Sequence, residues 1–106
     1  MIAANVAGLH TTNLLAADVV DEKGTAPPGN MHDILTGTAA DGTALTDTCT
    51  NWTSNAGNVN GILGHSDSTA ASSSGRWNNA HPSRGCSAAN LVGTGGNGRI
   101  YCFAIN

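Results

Sequence analysis

Apolar residues fall in short, separated groups along this chain, and each group predicts a short element. Between residues 1 and 20 the positions Ile2, Val6, Leu9, Leu14, Leu15, Val19 and Val20 partly follow a helical repeat. The spacing predicts one short helix over residues 2–9, with Asn5 or Thr12 as a cap. Gly24 and then Pro27-Pro28-Gly29-Asn30 interrupt regular structure with a turn or crossing loop. Ile34-Leu35-Thr36 predicts a short strand, Asp41-Gly42 the turn after it, and Asp47, Cys49, Trp52 and Thr53 a second extended stretch. Residues 54–90 are rich in Asn, Gly, Ser and Ala, with isolated apolar anchors at Val59, Ile62, Leu63 and Trp77. They predict one long ordered excursion, tied to the core at intervals. The firmest strand signal is Arg99 to Ile105, entered through a turn at Gly95-Gly96-Asn97-Gly98. Alternation puts Ile100, Cys102 and Ala104 on one face and Tyr101, Phe103 and Ile105 on the other. Apolar residues on both faces predict a central strand.

Composition narrows the class. The 106 residues suffice for one domain, spanning the whole chain. Charged residues are 10% of the total, against roughly 25% in an average globular protein. Only Lys23, Arg76, Arg84 and Arg99 are cationic, so counterion release contributes little, and nucleic acid and heparin are not expected as partners. The net charge of −3 implies no steering toward a basic target. An apolar fraction of 40% with two Trp argues for a folded body. No stretch approaches the roughly 20 apolar residues of a membrane span. The first residues lack a signal-peptide pattern, so the export signal of a secreted protein would lie outside this chain.

Cys49, Cys86 and Cys102 match no zinc ribbon, CxxC redox motif or haem attachment spacing. With low charge and small size they fit an oxidised extracellular domain that uses a disulfide in place of a large core. The odd count leaves one thiol unpaired or paired outside the chain. Three reduced thiols in a cytosolic protein are the competing reading.

His10, His32, His65 and His81 form no HxH or HExxH pattern, so spacing gives no support for a metal, and loop histidines are the default expectation. The pairs His32-Asp33 and His65 with Asp67 are the ones a fold would have to bring together. No GxSxG elbow occurs and a single Glu is present, so no catalytic residue is assigned and the chain is expected not to be an enzyme. No cofactor is expected either. Gly93 to Gly98 lacks the Lys-Ser/Thr of a phosphate loop. Asn51-Trp52-Thr53 is a glycosylation sequon for a eukaryotic secretory pathway.

The loop Gly75-Arg76-Trp77-Asn78-Asn79-Ala80-His81 is the best candidate for recognition. Trp77 offers a flat apolar face, and Arg76, Asn78, Asn79 and His81 offer donors and acceptors that match hydroxyl groups. A core-anchoring role for Trp77 has equal standing. Trp52 is expected in the core, packed on a disulfide.

The arrangement Leu35-Thr36-Gly37-Thr38, Asp41-Gly42, Cys49-Thr50-Asn51-Trp52, Cys86-Ser87 and Ile100-Tyr101-Cys102-Phe103 resembles the C-terminal half of the endostatin domain of collagens, and the related lectin-like domains of bacterial secreted proteins. The resemblance covers residues 31–106 and, more weakly, 1–30. It implies an α+β, C-type-lectin-like (endostatin-like) domain with short antiparallel strands, long ordered loops and little helix. It implies a disulfide between Cys49 and Cys86, and an external partner for Cys102 on an N-terminal helix that these residues lack. Cys86 with Cys102 is the alternative pairing. The zinc site of endostatin uses N-terminal histidines without counterparts here, and the Trp-Asn-Asp and Glu-Pro-Asn motifs of calcium-dependent lectins are absent. The resemblance implies a secreted or cell-surface module that binds a glycan or an extracellular protein through residues 54–90. A structural subunit of a surface or fibre assembly is the alternative, as a homo-oligomer or with a complementing N-terminal segment.

Overall fold

A computed structural model describes residues 3–11, 18–67 and 76–104. Ile2, Thr12, Leu14, Leu15, Gly75 and Ile105, all used above, lie outside the described residues. The first helix is α1 (Val6–Thr11). Asn5 caps it, its side-chain oxygen accepting the Gly8 amide at 2.8 Å, which places the helix a few residues later than the apolar spacing suggests. Pro27 and Pro28 lead into a single 3-10 turn, Gly29–Met31, and then the chain enters β1 (Asp33–Leu35).

The architecture is α+β. Its four-stranded sheet contains β1, β2 (Ile62–His65), β3 (His81–Pro82) and β4 (Gly96–Ile100) in the order β3-β2-β1-β4. The sheet is mixed. β2 runs antiparallel to β1 and β3, pairing Asp33 with His65 and Leu63 with His81. β4 runs parallel to β1, which corrects the expectation of antiparallel strands throughout. The long connection through β2, β3 and a helix supplies the crossover that a parallel pair requires.

Two further expectations change. The last strand begins at Gly96, inside the predicted turn, and forms an edge among the described strands. The glycines accommodate a register shift, since Asp33 pairs with Gly96 but Ile34 with Arg99. The strand ends at Ile100, short of the expected Arg99 to Ile105, and Ile100 and Phe103 are exposed, at 69% and 53%. The excursion over 54–90 is also more regular than its composition suggests, because it contains β2, β3 and the start of a helix, α3 (Ala88–Thr94). The Ser87 side chain caps α3 by accepting the Asn90 amide, and Gly95 terminates it.

The core is small. Its buried hydrophobic residues, among those described, are Ile34, Ile62, Leu63 and the two half-cystines Cys49 and Cys86. Cys49 and Cys86 form the disulfide that the family resemblance implies, and Cys102 is free and exposed.

The segment expected to be extended, around Cys49, is instead a left-handed turn, α2 (Cys49–Trp52), with φ of 51, 56, 55 and 62°. Four successive left-handed residues without glycine cost roughly 1–2 kcal/mol each. The bridge, the Cys49 amide donating to Asn60, the Trp52 amide to Thr48 and the Ser54 amide to Cys49 hold the turn in place. This backbone corrects the placement of Trp52. Its ring lies over Gly37 and Gly61 beside the Cys49 sulfur, yet 48% of the residue faces solvent.

Candidate functional site

Two side-chain groups flank the 76–82 segment, which crosses β2. The backbone of that segment is fixed by the His65 amide donating to the Arg76 carbonyl at 3.0 Å and the Ala80 amide donating to Leu63 at 2.7 Å. Gly64 is what allows the crossing, since a Cβ there would overlap the Trp77 carbonyl oxygen.

On one side stands an aromatic group. Trp77 meets Tyr101 and Phe103 edge to face, at centroid separations of 5.4 and 5.9 Å, and His10 approaches it at 5.4 Å. The Trp77 indole N–H donates to the Leu9 carbonyl at 2.9 Å, and the Tyr101 hydroxyl donates to the Trp77 carbonyl at 3.0 Å. Burial pushes the Tyr101 hydroxyl far above its ordinary pKa, so it remains a donor. The rings wall a cavity of about 270 Å³, whose lining includes Thr36 and Asn78. His10 binds the Ala40 carbonyl through Nδ1 at 3.0 Å, which places its proton there and leaves Nε2 as an acceptor.

The recognition residues expected from sequence separate in space. Trp77 lines the cavity. Asn78 is buried, and its amide N–H groups donate to the Ala39 carbonyl at 2.8 Å and the Thr38 hydroxyl at 3.2 Å. The Asn79 amide donates to the Thr38 carbonyl at 2.7 Å. These bonds fasten the loop to residues 38–40. Arg76 is half-buried beside His10 and Asp41, and His81 faces the opposite end of the segment.

On that other side is a cluster of histidines about one carboxylate. The Asp33 side chain is fully buried, and neither of its oxygens receives a hydrogen bond from the described residues. The Nε2 atoms of His65, His32 and His81 stand 3.2, 3.4 and 3.6 Å from Asp33 Oδ1. His65 and His81 approach each other through Nε2 at 3.0 Å, and the His32 and His65 rings stack at 4.3 Å. His32 Nδ1 lies 2.9 Å from both Asp67 oxygens, and His81 Nδ1 lies 3.1 Å from the Pro82 carbonyl. Burial first, and then the neighbouring His32, hold the His65 pKa below its usual value, which favours a neutral ring.

Strand register creates this cluster. Asp33 and His65 are cross-strand partners, and His81 pairs with Leu63 on β3. His32 joins them because it sits at φ −86°, ψ −10°, in a helical conformation just before the strand. An extended residue there would point to the opposite face. The default expectation of separate loop histidines therefore changes for His32, His65 and His81. The sequence contained the pairs His32-Asp33 and His65 with Asp67, but no spacing rule connected them to His81. His32, Asp33 and His65 offer ligand atoms all within 4.8 Å of one another, and His81 Nε2, outside that group of three, stands 3.0 Å from His65 Nε2 and 3.6 Å from Asp33 Oδ1. Comparison of the chain with protein-family models, with curated proteins and with solved structures finds no match.

Proposed function

We propose that this chain is a secreted or cell-surface binding module without catalytic activity, and that it recognises a glycan, or the side chains of an extracellular protein, at the aromatic cavity beside Trp77. The observation that carries the reading is the wall of Trp77, Tyr101 and Phe103 around a space of about 270 Å³. Ring faces complement the C–H surface of a sugar, and the His10 acceptor and the neighbouring backbone complement its hydroxyls. The hydrogen bonds of Trp77 and Tyr101 fix the rings before a ligand arrives, which lowers the cost of binding. The disulfide and the weakly charged surface agree with an oxidising, extracellular setting.

A glycan array followed by titration of the strongest hit tests the reading. Phe103→Ala removes an exposed wall residue with little effect on folding, and is expected to weaken binding about tenfold, the worth of a contacting aromatic ring. Trp77→Ala is expected to weaken it further. A parent protein that binds no glycan and no extracellular protein discards the proposal, as does Phe103→Ala binding like the parent.

A second reading is favoured by the groove that adjoins the cavity along the last residues, with Ile100, Tyr101 and Phe103 lining both. Val20, Ile100 and Phe103 are exposed beside the free Cys102, along a groove of about 640 Å³ at the open edge of β4. In this reading the chain is a piece of a larger assembly, and a cysteine-bearing segment of a neighbour or of a longer precursor covers the groove. Light scattering over a range of concentrations, with and without reductant, distinguishes the two. A monomer at all concentrations, with Cys102 still alkylatable, removes the assembly reading.

A further inference from the structure

We infer that the polar end of the sheet is a site for a divalent transition metal, with His32, Asp33 and His65 as ligands, His81 as the fourth, and zinc as the ion best suited to them. Asp33 is the strongest sign. A carboxylate with no exposed surface and no hydrogen-bond donor is a costly thing to bury unless a positive charge sits beside it.

The spacing of the surrounding atoms suits a cation in their midst. Ligand atoms bound at about 2.0–2.1 Å to a tetrahedral zinc stand roughly 3.3 Å apart. Here the separations are 3.0 Å between the His65 and His81 Nε2 atoms, and 3.2, 3.4 and 3.6 Å from Asp33 Oδ1 to the Nε2 atoms of His65, His32 and His81.

The outer partners select the right nitrogen. Asp67 accepts from His32 Nδ1, and the Pro82 carbonyl accepts from His81 Nδ1. With the proton on Nδ1, each ring turns its Nε2 lone pair toward Asp33. A carboxylate or a backbone carbonyl on the far nitrogen is the usual support of a metal-bound histidine. A divalent cation would supply the positive charge that buried Asp33 lacks and would bind the Nε2 atoms of His65 and His81, which otherwise share one hydrogen bond at 3.0 Å. Imidazoles with one carboxylate favour zinc over calcium or magnesium, which prefer oxygen alone, while copper(II) and nickel(II) compete for the same donors.

The ligands come from β1, β2, β3 and the turn before β1, so the ion cross-links strands that a small core holds only weakly. The site shares no residue with the aromatic cavity, so metal uptake and ligand binding there are read separately.

The whole chain, stripped with a chelator, is titrated with zinc against a chromophoric competitor and with cobalt(II) by visible absorption. One ion per chain is expected, with a raised Tm. His65→Ala is expected to weaken zinc binding about 100-fold or more, and Asp67→Asn about tenfold through its support of His32. His10→Ala is expected to take up zinc like the parent, since His10 lines the aromatic cavity and not this cluster. Because His65→Ala itself perturbs the sheet, the ring signals of the unaltered protein are followed by NMR. Those of His32, His65 and His81 are expected to shift on adding zinc while His10 does not. No uptake of zinc or cobalt overturns the proposal, and so does uptake that leaves the three ring signals unmoved.

Discussion

Replacing Cys49 and Cys86 together by serine is expected to lower the free energy of unfolding by about 4 kcal/mol. The bridge joins residues 37 apart in sequence, and closing a loop of that length removes this much from the unfolded chain through its entropy. Domains of this class hold only about 5–15 kcal/mol in total, so the loss is a large share of the whole. Two local effects add to it. The half-cystines are among the few buried hydrophobic residues described, and they anchor the left-handed turn Cys49–Trp52, which is unfavourable in isolation. Urea titration of the parent, the double serine variant and the reduced parent measures the effect. Variants within 1 kcal/mol of the parent, by the same slope, would show that apolar burial alone suffices.

Gly64→Ala is expected to cost about 3 kcal/mol, near the upper end for overpacking, and to disturb both candidate sites at once. The added methyl overlaps the Trp77 carbonyl oxygen and comes within 2.8 Å of the Asn78 Cα. Neither neighbour is the loose end of a side chain. Relief requires β2 and the 76–78 backbone to part, which breaks the bond from the His65 amide to Arg76 and moves Trp77 and His81 off their positions. Gly29→Ala is the control, because nothing lies within 4 Å of a Cβ there and its φ is not left-handed. That variant is expected to match the parent or to gain a few tenths of a kcal/mol from a stiffer unfolded chain. Equal unfolding midpoints for the two variants would contradict the close approach of strand and loop.

The parts of the fold legible in the sequence are those set by neighbours along the chain. Asn5 as a helix cap, the breaks at Gly24 and Pro27-Pro28, the strand at Ile34-Leu35 and the turn at Asp41-Gly42 all depend on side chains acting on their own backbone. The pairing of Cys49 with Cys86 was implied by family resemblance alone, since spacing left Cys86 with Cys102 open. Other elements carried signals that pointed elsewhere. Ala88–Thr94 spans seven residues, too few to display a helical repeat, and β4 begins within glycines that otherwise mark a turn.

By itself the sequence determined a body of short elements and little charge, with turns where glycine, proline and aspartate demand them, because such preferences act over a few residues; its α+β class was implied by the resemblance. Only the tertiary structure decided that Asp33, His32, His65 and His81 share one end of a mixed sheet, and that Trp77, Tyr101 and Phe103 wall one cavity. These groups are joined by strand register and by one crossing of backbone over Gly64. Register follows from the packing of whole strands against each other, so a shift of one residue would turn His65 to the opposite face while leaving the local sequence unchanged.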